Sequence, residues 1–85
     1  MSKTIFSGAH TRLIEILMAA RRRSGLTQAE LGAKVGKDQA FISLIERSQR
    51  RVDVLEFILL AKAMGEDPQR LFAEVVSTVP STFKI

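Results

Sequence analysis

Residues that start and stop helices divide this sequence into short segments. Glycine follows three of the apolar runs, at Gly25, Gly36 and Gly65, and glycine commonly ends a helix because it adopts positive φ without strain. Residues whose side chains cap helix N-termini precede the runs that follow: Thr27, Asp38, Asp53 and Asp67. No stretch shows the alternation typical of a β-strand. The pattern therefore predicts an all-α fold of five short helices.

Two of these caps have the spacing of a capping box, Thr27 with Glu30 and Asp53 with Glu56. Apolar residues recur at helical spacing within the predicted helices, the first of which is expected around residues 11–24. The core is expected to contain Leu13, Leu17, Ala20, Leu31, Val35, Phe57, Leu60, Met64, Leu71 and Phe72. The chain accordingly divides into an N-terminal arm, a helical domain and a C-terminal tail, at residues 1–10, 11–77 and 78–85.

Charge is distributed unevenly along the chain, whose formal net charge is +4. Residues 1–51 contain ten Lys and Arg against four Asp and Glu, a balance of +6, whereas residues 52–85 contain three against five, a balance of −2. A basic half beside an acidic half suggests a polyanionic partner for the first and a scaffold or self-association for the second. Solubility alone would account for the net charge but not for this asymmetry.

The composition also excludes several classes of function. The chain has no cysteine and a single histidine, His10, so it offers neither thiol chemistry nor a histidine-rich metal cluster. No apolar run approaches the roughly 20 residues that span a bilayer, and no nucleophile with a base and no phosphate-binding loop is visible. We therefore expect no enzymatic activity, cofactor, metal or membrane association, and a cytoplasmic, nucleoid-associated protein.

The predicted third helix has an unusual outward face. With Ile42 and Ile45 directed to the core at 100° per residue, Gln39 lies to one side at the exposed N-terminal end. The residues that point directly outward are Ala40, Ser43, Leu44 and Arg47. This face is small, polar and singly basic, which suits entry into a groove of DNA better than the Glu- and Lys-rich face of an ordinary solvated helix.

Three stretches carry a pattern with consistent spacing over residues 13–72: "LTQAELGAKVG", "AFISLIER" and "QRRVDVLEFILLAKAMGEDPQRLF". They resemble the Cro/cI-type, or XRE, family of helix-turn-helix proteins. The resemblance implies a compact five-helix bundle of the lambda-repressor-like type, in which helices two and three form the helix-turn-helix. It also implies a homodimer on double-stranded DNA, with the third helix in the major groove and the second across the phosphate backbone.

The resemblance further implies roles for individual residues. Gln39 and Ala40, first in the third helix, take base-reading positions, with Ser43 and Leu44 next, and a glutamine there suits bidentate pairing with adenine. Gln28, first in the second helix, would bond a phosphate and steady the side chain of Gln39. The expected phosphate contacts are Thr27, Gln28, Lys37, Arg47, Arg50 and Arg51.

Arg21 and Glu46 match a family pair that forms a partly buried salt bridge between helices one and three. The helical wheel agrees, because Glu46 falls about 70° from the core direction, where an unpaired carboxylate would be costly. Lys37 stands where the family often has an apolar residue, so its side chain is expected to extend outward to a phosphate. Ser48 stands where glycine often ends the recognition helix, and a serine there disfavours a left-handed cap.

Two further features have structural interpretations. The arginine triplet at residues 21–23 ends the first helix, where the helix dipole favours cations. Phe41 lies about 70° from the core direction and is expected to pack against the protein rather than stack on a base.

We expect a sequence-specific DNA-binding transcriptional regulator that acts as a repressor and binds a palindromic operator as a homodimer. The dimer contact is expected in the last helix and the tail, around Leu71, Val75 and Val76. An alternative is a DNA-binding antitoxin, or a protein-interaction helical module, in which docking of a protein partner dominates. The apolar residues that would serve such docking, or equally a homodimer, are Ile14, Met18 and Leu59.

Overall fold

The structure is a computed structural model, and it describes residues 8–82. Five helices follow one another within these residues: α1 (Gly8–Ser24), α2 (Gln28–Lys34), α3 (Gln39–Glu46), α4 (Val54–Ala63) and α5 (Pro68–Thr78). The expected all-α fold of five helices is confirmed. None of these five helices is long and apolar enough to cross a membrane.

The outer boundaries of the helical region differ from the expected ones. α1 begins at Gly8, so residues 8–10 of the expected N-terminal arm form the first turn of that helix. α5 ends at Thr78, one residue into the expected tail, and Pro80 follows where a proline cannot continue the helix. The remainder of the arm, residues 1–7, and the last part of the tail, residues 83–85, lie outside the described residues.

The expected capping boxes are present at the starts of α2 and α4. The Glu30 N–H donates to Thr27 Oγ1 at 3.0 Å, and the Thr27 N–H donates to the Glu30 carboxylate at 2.9 Å. The corresponding bonds between Asp53 and Glu56 are 2.7 and 3.0 Å long. The Thr27 backbone N–H lowers the pKa of Glu30 because it stabilises the ionised carboxylate. These bonds satisfy free backbone donors and so fix where the two helices begin.

The C-terminus of α3 adopts a conformation that was not expected. Ser48 has a φ of 58°, in the left-handed region. Its N–H donates to the Ile45 C=O at 3.0 Å, and the Gln49 N–H donates to the Leu44 C=O at 2.8 Å, which together make a Schellman motif. The expectation that serine would disfavour this cap is wrong. The two hydrogen bonds and the burial of Ser48 offset a cost of about 1–2 kcal/mol for a left-handed residue other than glycine.

The core lies between the helices, and α2 and α3 both pack into it. Ile42 and Ile45 point inward as the helical wheel predicted. The buried apolar residues of the described part of the chain are Ile14, Leu17, Ala20, Leu31, Ile42, Ile45, Phe57, Leu60, Ala61, Met64 and Leu71. Half-buried side chains, Val35 and Phe41 among them, pack against this cluster. α3 is therefore anchored by its inner face.

Three apolar residues differ from the expectations in their burial or in the role that their burial allows. Ile14 is 3% exposed and belongs to the core, with Leu13 only half-buried beside it, so Ile14 cannot dock a partner. Leu71 is 1% exposed, which confirms its expected place in the core but leaves it unable to make the expected contact with a second protomer. Phe72 is 50% exposed rather than buried, and its ring meets that of Phe57 edge-on at 5.8 Å. Adjacent helical residues point 100° apart, so an error of one residue exchanges a core position for a surface position.

Gly32 allows α2 to lie directly against the backbone that precedes α3. A Cβ at position 32 would overlap the backbone oxygen of Asp38 and would lie 2.6 Å from its carbonyl carbon. Backbone cannot rotate aside as the end of a flexible side chain can. The Lys37 N–H also donates to the Gly32 C=O at 2.8 Å, which closes the turn between the two helices. Gly32 therefore sets the spacing between α2 and α3.

We expect Gly32→Ala to destabilise the protein by about 2 kcal/mol, because overpacking costs about 1–3 kcal/mol and the better helix propensity of alanine offsets only part of it. Gly8→Ala is the matched control, since a Cβ there would meet no atom within 4 Å. Urea unfolding of both variants measures the difference. A Gly32→Ala protein as stable as the Gly8→Ala protein would contradict the close approach.

Candidate nucleic-acid interface

A partly buried ion pair joins the C-terminal ends of α1 and α3. Arg21 Nε donates to Glu46 Oε2 at 2.6 Å, and Arg21 Nη2 donates to Glu46 Oε1 at 3.1 Å. The two side chains are only 14% and 7% exposed. The bonds to Glu46 raise the pKa of the Arg21 guanidinium above its ordinary value. The expected salt bridge is confirmed, and its bidentate geometry fixes the positions of both side chains.

The same ion pair also holds the segment that leads into α2. Arg21 Nη1 donates to the backbone oxygen of Leu26 at 3.0 Å, and Gln28 Nε2 donates to Glu46 Oε1 at 2.9 Å. One arginine and one glutamate therefore connect α1, the α1–α2 loop, α2 and α3. Because these bonds involve both ends of the ion pair, the start of α2 is fixed relative to the end of α3.

Gln28 in turn contacts the first residue of α3. Gln39 Nε2 donates to Gln28 Oε1 at 3.4 Å, as the resemblance had implied. Gln28 is half-buried, whereas Gln39 is exposed. The exposed amide of Gln39, at the N-terminal end of α3, is therefore bonded to Gln28, which is itself bonded to Glu46.

The residues expected to read bases lie on the solvent side of α3. Gln39 and Ala40 are exposed, Leu44 is 38% exposed and Ser43 is half-buried. We call these four residues the reading surface. Ala40 and Ser43 have short side chains, and none of the four side chains carries a charge. α3 can therefore approach the floor of a groove closely.

Exposed cations stand at both ends of the reading surface. Lys37 lies in the α2–α3 turn, and Arg47 lies directly after the last residue of α3. The Lys37 ammonium is 5.6 Å from the centroid of the Phe41 ring, a cation–π contact that keeps it near the surface of the protein. Thr27, at the start of α2, uses its hydroxyl oxygen to cap that helix. The geometry thus brings charges to the flanks of α3, where phosphates of a bound duplex would lie.

Arg50 has a role different from the expected one. Its two terminal nitrogens donate to the Glu56 carboxylate at 2.8 and 2.7 Å, and Nη1 also donates to the Arg51 C=O at 2.7 Å. The guanidinium carbon lies 4.6 Å from the Phe41 ring centroid. Arg50, and secondly the Asp53 N–H, lower the pKa of Glu56 to about 2. The assignment of Arg50 to phosphate does not match this structure, whereas Phe41 packs against the protein as expected.

Two further basic residues near α1, Arg23 and Arg51, also interact with neighbouring groups of the protein. Arg23 pairs with Glu66 at 3.2 Å, so two members of the arginine triplet, Arg21 and Arg23, bind carboxylates, in line with its structural interpretation. Arg51 is exposed, and burial together with the nearby charge of Arg51 lowers the pKa of His10. Arg51 therefore lies near the first turn of α1.

Some of these positions could have been found in the sequence and others could not. A glycine inside a helix costs about 1 kcal/mol relative to alanine, so Gly32 was itself a signal of close backbone approach. The bond between Arg50 and Glu56 had no comparable signal. The two residues are separated by a loop, and Glu56 was already explained as a capping residue.

We expect Arg50→Met to remove part of the acid sensitivity of the protein. The folded-state pKa of Glu56 is about 2, below its ordinary 4.5. Its contribution is therefore fully present above pH 4.5 and is lost as the pH falls towards 2. After allowance for solvent screening, Arg50→Met should cost about 1 kcal/mol at pH 7, and this difference from wild type should shrink towards pH 2.

Urea unfolding at several pH values between 2 and 7 measures this effect. Arg70→Met is the control, because Arg70 is an exposed residue of α5 that takes part in none of the ion pairs found within residues 8–82. If the wild-type and Arg50→Met proteins differed by the same amount at every pH, Arg50 would not be the cause of the lowered pKa.

Comparison with known proteins places this geometry in a family. The Helix-turn-helix family model matches residues 17–71, a range that contains α2, α3 and the reading surface. An uncharacterized HTH-type transcriptional regulator, y4dJ of Sinorhizobium fredii (strain NBRC 101917 / NGR234), is 42% identical over 45 residues. Those residues are 53% of this chain and 58% of y4dJ, so the match covers less than two thirds of that relative.

Solved structures share the fold over most of the chain. An XRE-family like protein from Pseudomonas syringae pv. tomato str. DC3000 is 36% identical, with a TM-score of 0.78 over 85% of this chain and 88% of that one. The restriction-modification controller protein C.AhdI from Aeromonas hydrophila is 29% identical, with a TM-score of 0.64 over 78% and 100%. A mutant of the controller protein C.Esp1396I has a TM-score of 0.77 over 93% and 100% but is 23% identical, so it shows the fold alone. The chain therefore belongs to the XRE family of DNA-binding helix-turn-helix transcriptional regulators.

Proposed function

We propose that the protein binds a palindromic operator as a homodimer and acts as a repressor by occupying promoter DNA. The observation that carries this proposal is the reading surface, in which the exposed amide of Gln39 begins α3 and is held by Gln28. A carboxamide at the N-terminal end of a recognition helix can both accept from N6 and donate to N7 of one adenine in the major groove. Such an amide would give the protein a preference among sequences.

The flanking groups would fix α3 on the duplex without reading it. We assign phosphate contacts to Lys37 and Arg47 at the two ends of α3, to Thr27 and Gln28 at the start of α2, and to Arg51. Phosphates are the same at every site, so these contacts would add affinity and orientation but no discrimination. Affinity and specificity would then reside in different residues.

We assign the homodimer contact to an apolar surface on α4 and α5. Val54 and Leu55 are 68% and 72% exposed, and Phe72 and Val76 are 50% and 54% exposed. A groove of about 460 Å³, with Phe72 and Val54 in its wall, runs between the two helices. Val75 is half-buried at the edge of the core. A two-fold dimer through this surface would present two equivalent reading surfaces, which is what a palindromic operator requires.

The alternative, an antitoxin or a protein-interaction module, has weaker support than the sequence suggested. Ile14 is buried and Met18 is half-buried against the core, so Leu59, at 57% exposure, is the one candidate docking residue that is open to solvent. The groove between α4 and α5 could hold a protein partner instead of a second copy of the chain. The oligomeric state on DNA distinguishes the two.

We expect Gln39→Ala and Arg47→Ala to affect DNA binding in opposite ways. Gln39→Ala should lose about 1–3 kcal/mol on the operator, leave binding to random DNA nearly intact and keep the salt dependence. Arg47→Ala should weaken operator and random DNA alike and lower the slope of log affinity against log salt by about 1. The operator would first be selected from a random pool, and affinities for both DNAs would then be measured at several salt concentrations.

Arg70→Ala serves as the control for removing a surface cation. Arg70 is an exposed residue of α5, a helix that packs against α1 and α4 and contains no residue of the reading surface. It should leave both affinities near those of the wild type. Equal weakening of operator and random DNA by Gln39→Ala would make Gln39 a backbone contact and would contradict the assignment of α3 as the reading helix.

We expect Val76→Glu to raise the dissociation constant of the dimer at least tenfold, which corresponds to about 1.4 kcal/mol, because it places a charge in an apolar contact. Val76 is half-exposed in the monomer, so the fold should be retained. Ala19→Glu, at an exposed position of α1, is the control. Sedimentation equilibrium measures the dissociation constant. On the wild-type operator, the two half-sites should lie about 10 bp apart, centre to centre. A wild-type protein that is monomeric both free and on DNA would refute the proposal.

A further inference from the structure

We propose that Glu56 limits the affinity of this protein for DNA, because it keeps Arg50 away from the phosphate backbone. Two cations beside α3, Lys37 and Arg50, lie over the ring of Phe41, and Glu56 pairs with one of them. The inference rests on the proposed approach of α3 to DNA, with phosphates along its flanks. It adds a residue of α4 that reduces the number of phosphate contacts.

Phe41 brings both cations to one flank of α3. Adjacent helical residues point 100° apart, so Phe41 lies beside the outward-pointing Ala40 rather than in line with it. The Lys37 ammonium is 5.6 Å from the ring centroid, and the Arg50 guanidinium carbon is 4.6 Å from it. When a recognition helix lies in the major groove, the two phosphate backbones pass along its flanks. Arg50 therefore stands next to Lys37 where a free guanidinium could bind a phosphate.

Glu56 is fixed by the backbone of α4 as well as by Arg50. Its carboxylate accepts the Asp53 N–H at 3.0 Å in the capping box that begins α4. Arg50 donates to both carboxylate oxygens, at 2.8 and 2.7 Å, which is the bidentate geometry of a strong ion pair. The carboxylate thus occupies the donors that a phosphate would require. Because the capping box holds Glu56, Arg50 stays beside the start of α4.

Lys37, in contrast, is available to DNA. It is exposed and takes part in none of the ion pairs among residues 8–82, although Lys37, Phe41 and Glu56 line one small cavity. A move of Arg50 to a phosphate would leave Glu56 as an unpaired carboxylate on this flank. The move would exchange one anionic partner for another and would add repulsion between Glu56 and the duplex. Arg50 therefore remains with Glu56 when DNA binds.

The loss of one phosphate contact lowers the affinity for every sequence. Each contact steepens the dependence of log affinity on log salt by about 0.9, which amounts to about eightfold in affinity at about 0.1 M salt. A genome contains a large excess of non-operator sites that compete for the protein. With Arg50 held by Glu56, the protein binds these sites less tightly and leaves them sooner.

Glu56→Gln in the full-length protein tests this inference. Glutamine also suits this position of a capping box, so the start of α4 should be kept, but it has no charge to hold Arg50. We expect binding to random duplex DNA to tighten about eightfold at about 0.1 M salt, and the salt dependence to steepen by about 0.9. Affinity for the selected operator should rise by the same factor, because phosphates carry no sequence information.

Glu66→Gln is the matched control. Glu66 pairs with Arg23 at 3.2 Å, and its side chain is 23% exposed, as is that of Glu56. Both variants raise the net charge by one unit, but Arg23 lies on α1, to which no DNA contact is assigned. The control should therefore keep the salt dependence of the wild type.

Two outcomes of this comparison would overturn the inference. An equal salt dependence in the Glu56→Gln and Glu66→Gln proteins would reduce the effect to net charge. Tighter binding of the operator alone would make Glu56 a determinant of base reading. If no operator can be selected from random DNA, the proposed function fails, whereas the measurements on random DNA still test the role of Glu56.

The nuclear magnetic resonance signals of the Arg50 guanidinium give an independent test. A bidentate carboxylate slows rotation of the guanidinium, so the Nη hydrogens of wild-type Arg50 should give separate signals that persist when DNA is added. In Glu56→Gln these signals should merge in the free protein and separate on DNA. A large shift of the wild-type Arg50 signals on addition of DNA would mean that Arg50 leaves Glu56. That result would overturn the inference even if Glu56→Gln proved too unstable to study.

Discussion

The ion pair between Arg21 and Glu46 is the interaction on which the rest of the DNA-binding geometry depends. It is formed between residues 25 positions apart. The guanidinium also donates to the Leu26 backbone oxygen, and the carboxylate also accepts from the Gln28 amide. Removal of one partner from a buried pair costs about 3–5 kcal/mol, which is a large part of the 5–15 kcal/mol that stabilises a typical domain. The same two residues therefore contribute both to the position of α3 and to the stability of the fold.

The reading helix is also held at its other end and along its side. Gly32 sets how closely α2 lies to the backbone before α3, and the left-handed conformation of Ser48 ends α3 in a compact turn. After that turn, Arg50 binds Glu56 and covers Phe41, which joins α3 to the start of α4. These contacts lie on different sides of the helix, so α3 has little freedom to shift relative to the other helices. A surface that must match base edges requires such rigidity.

Local signals in the sequence were sufficient for the helices, because a capping side chain bonds backbone groups a few residues away and a glycine acts through its own backbone. The inward face of α3 could also be predicted from the sequence, since Ile42 and Ile45 fix the rotation of a short helix. Predictions failed where the outcome depended on tertiary contacts. Whether Phe72 joins Leu71 in the core depends on how α5 packs, and whether Arg50 is free depends on a carboxylate beyond the next loop. The pairing of Arg21 with Glu46 was found only because the family resemblance supplied a long-range contact.

Under the proposed function, the arrangement of charge would let a small surface separate affinity from specificity. A cation placed at Gln39 would attract every sequence, because its field acts on the phosphates of any duplex. A neutral amide avoids this general attraction, but a freely rotating amide would accept several bases. The negative charge of Glu46 is buried and neutralised by Arg21, so it repels the phosphates of a duplex little. In the structure the Gln39 amide is instead held by Gln28, which is itself bonded to Glu46, so its rotation is restricted.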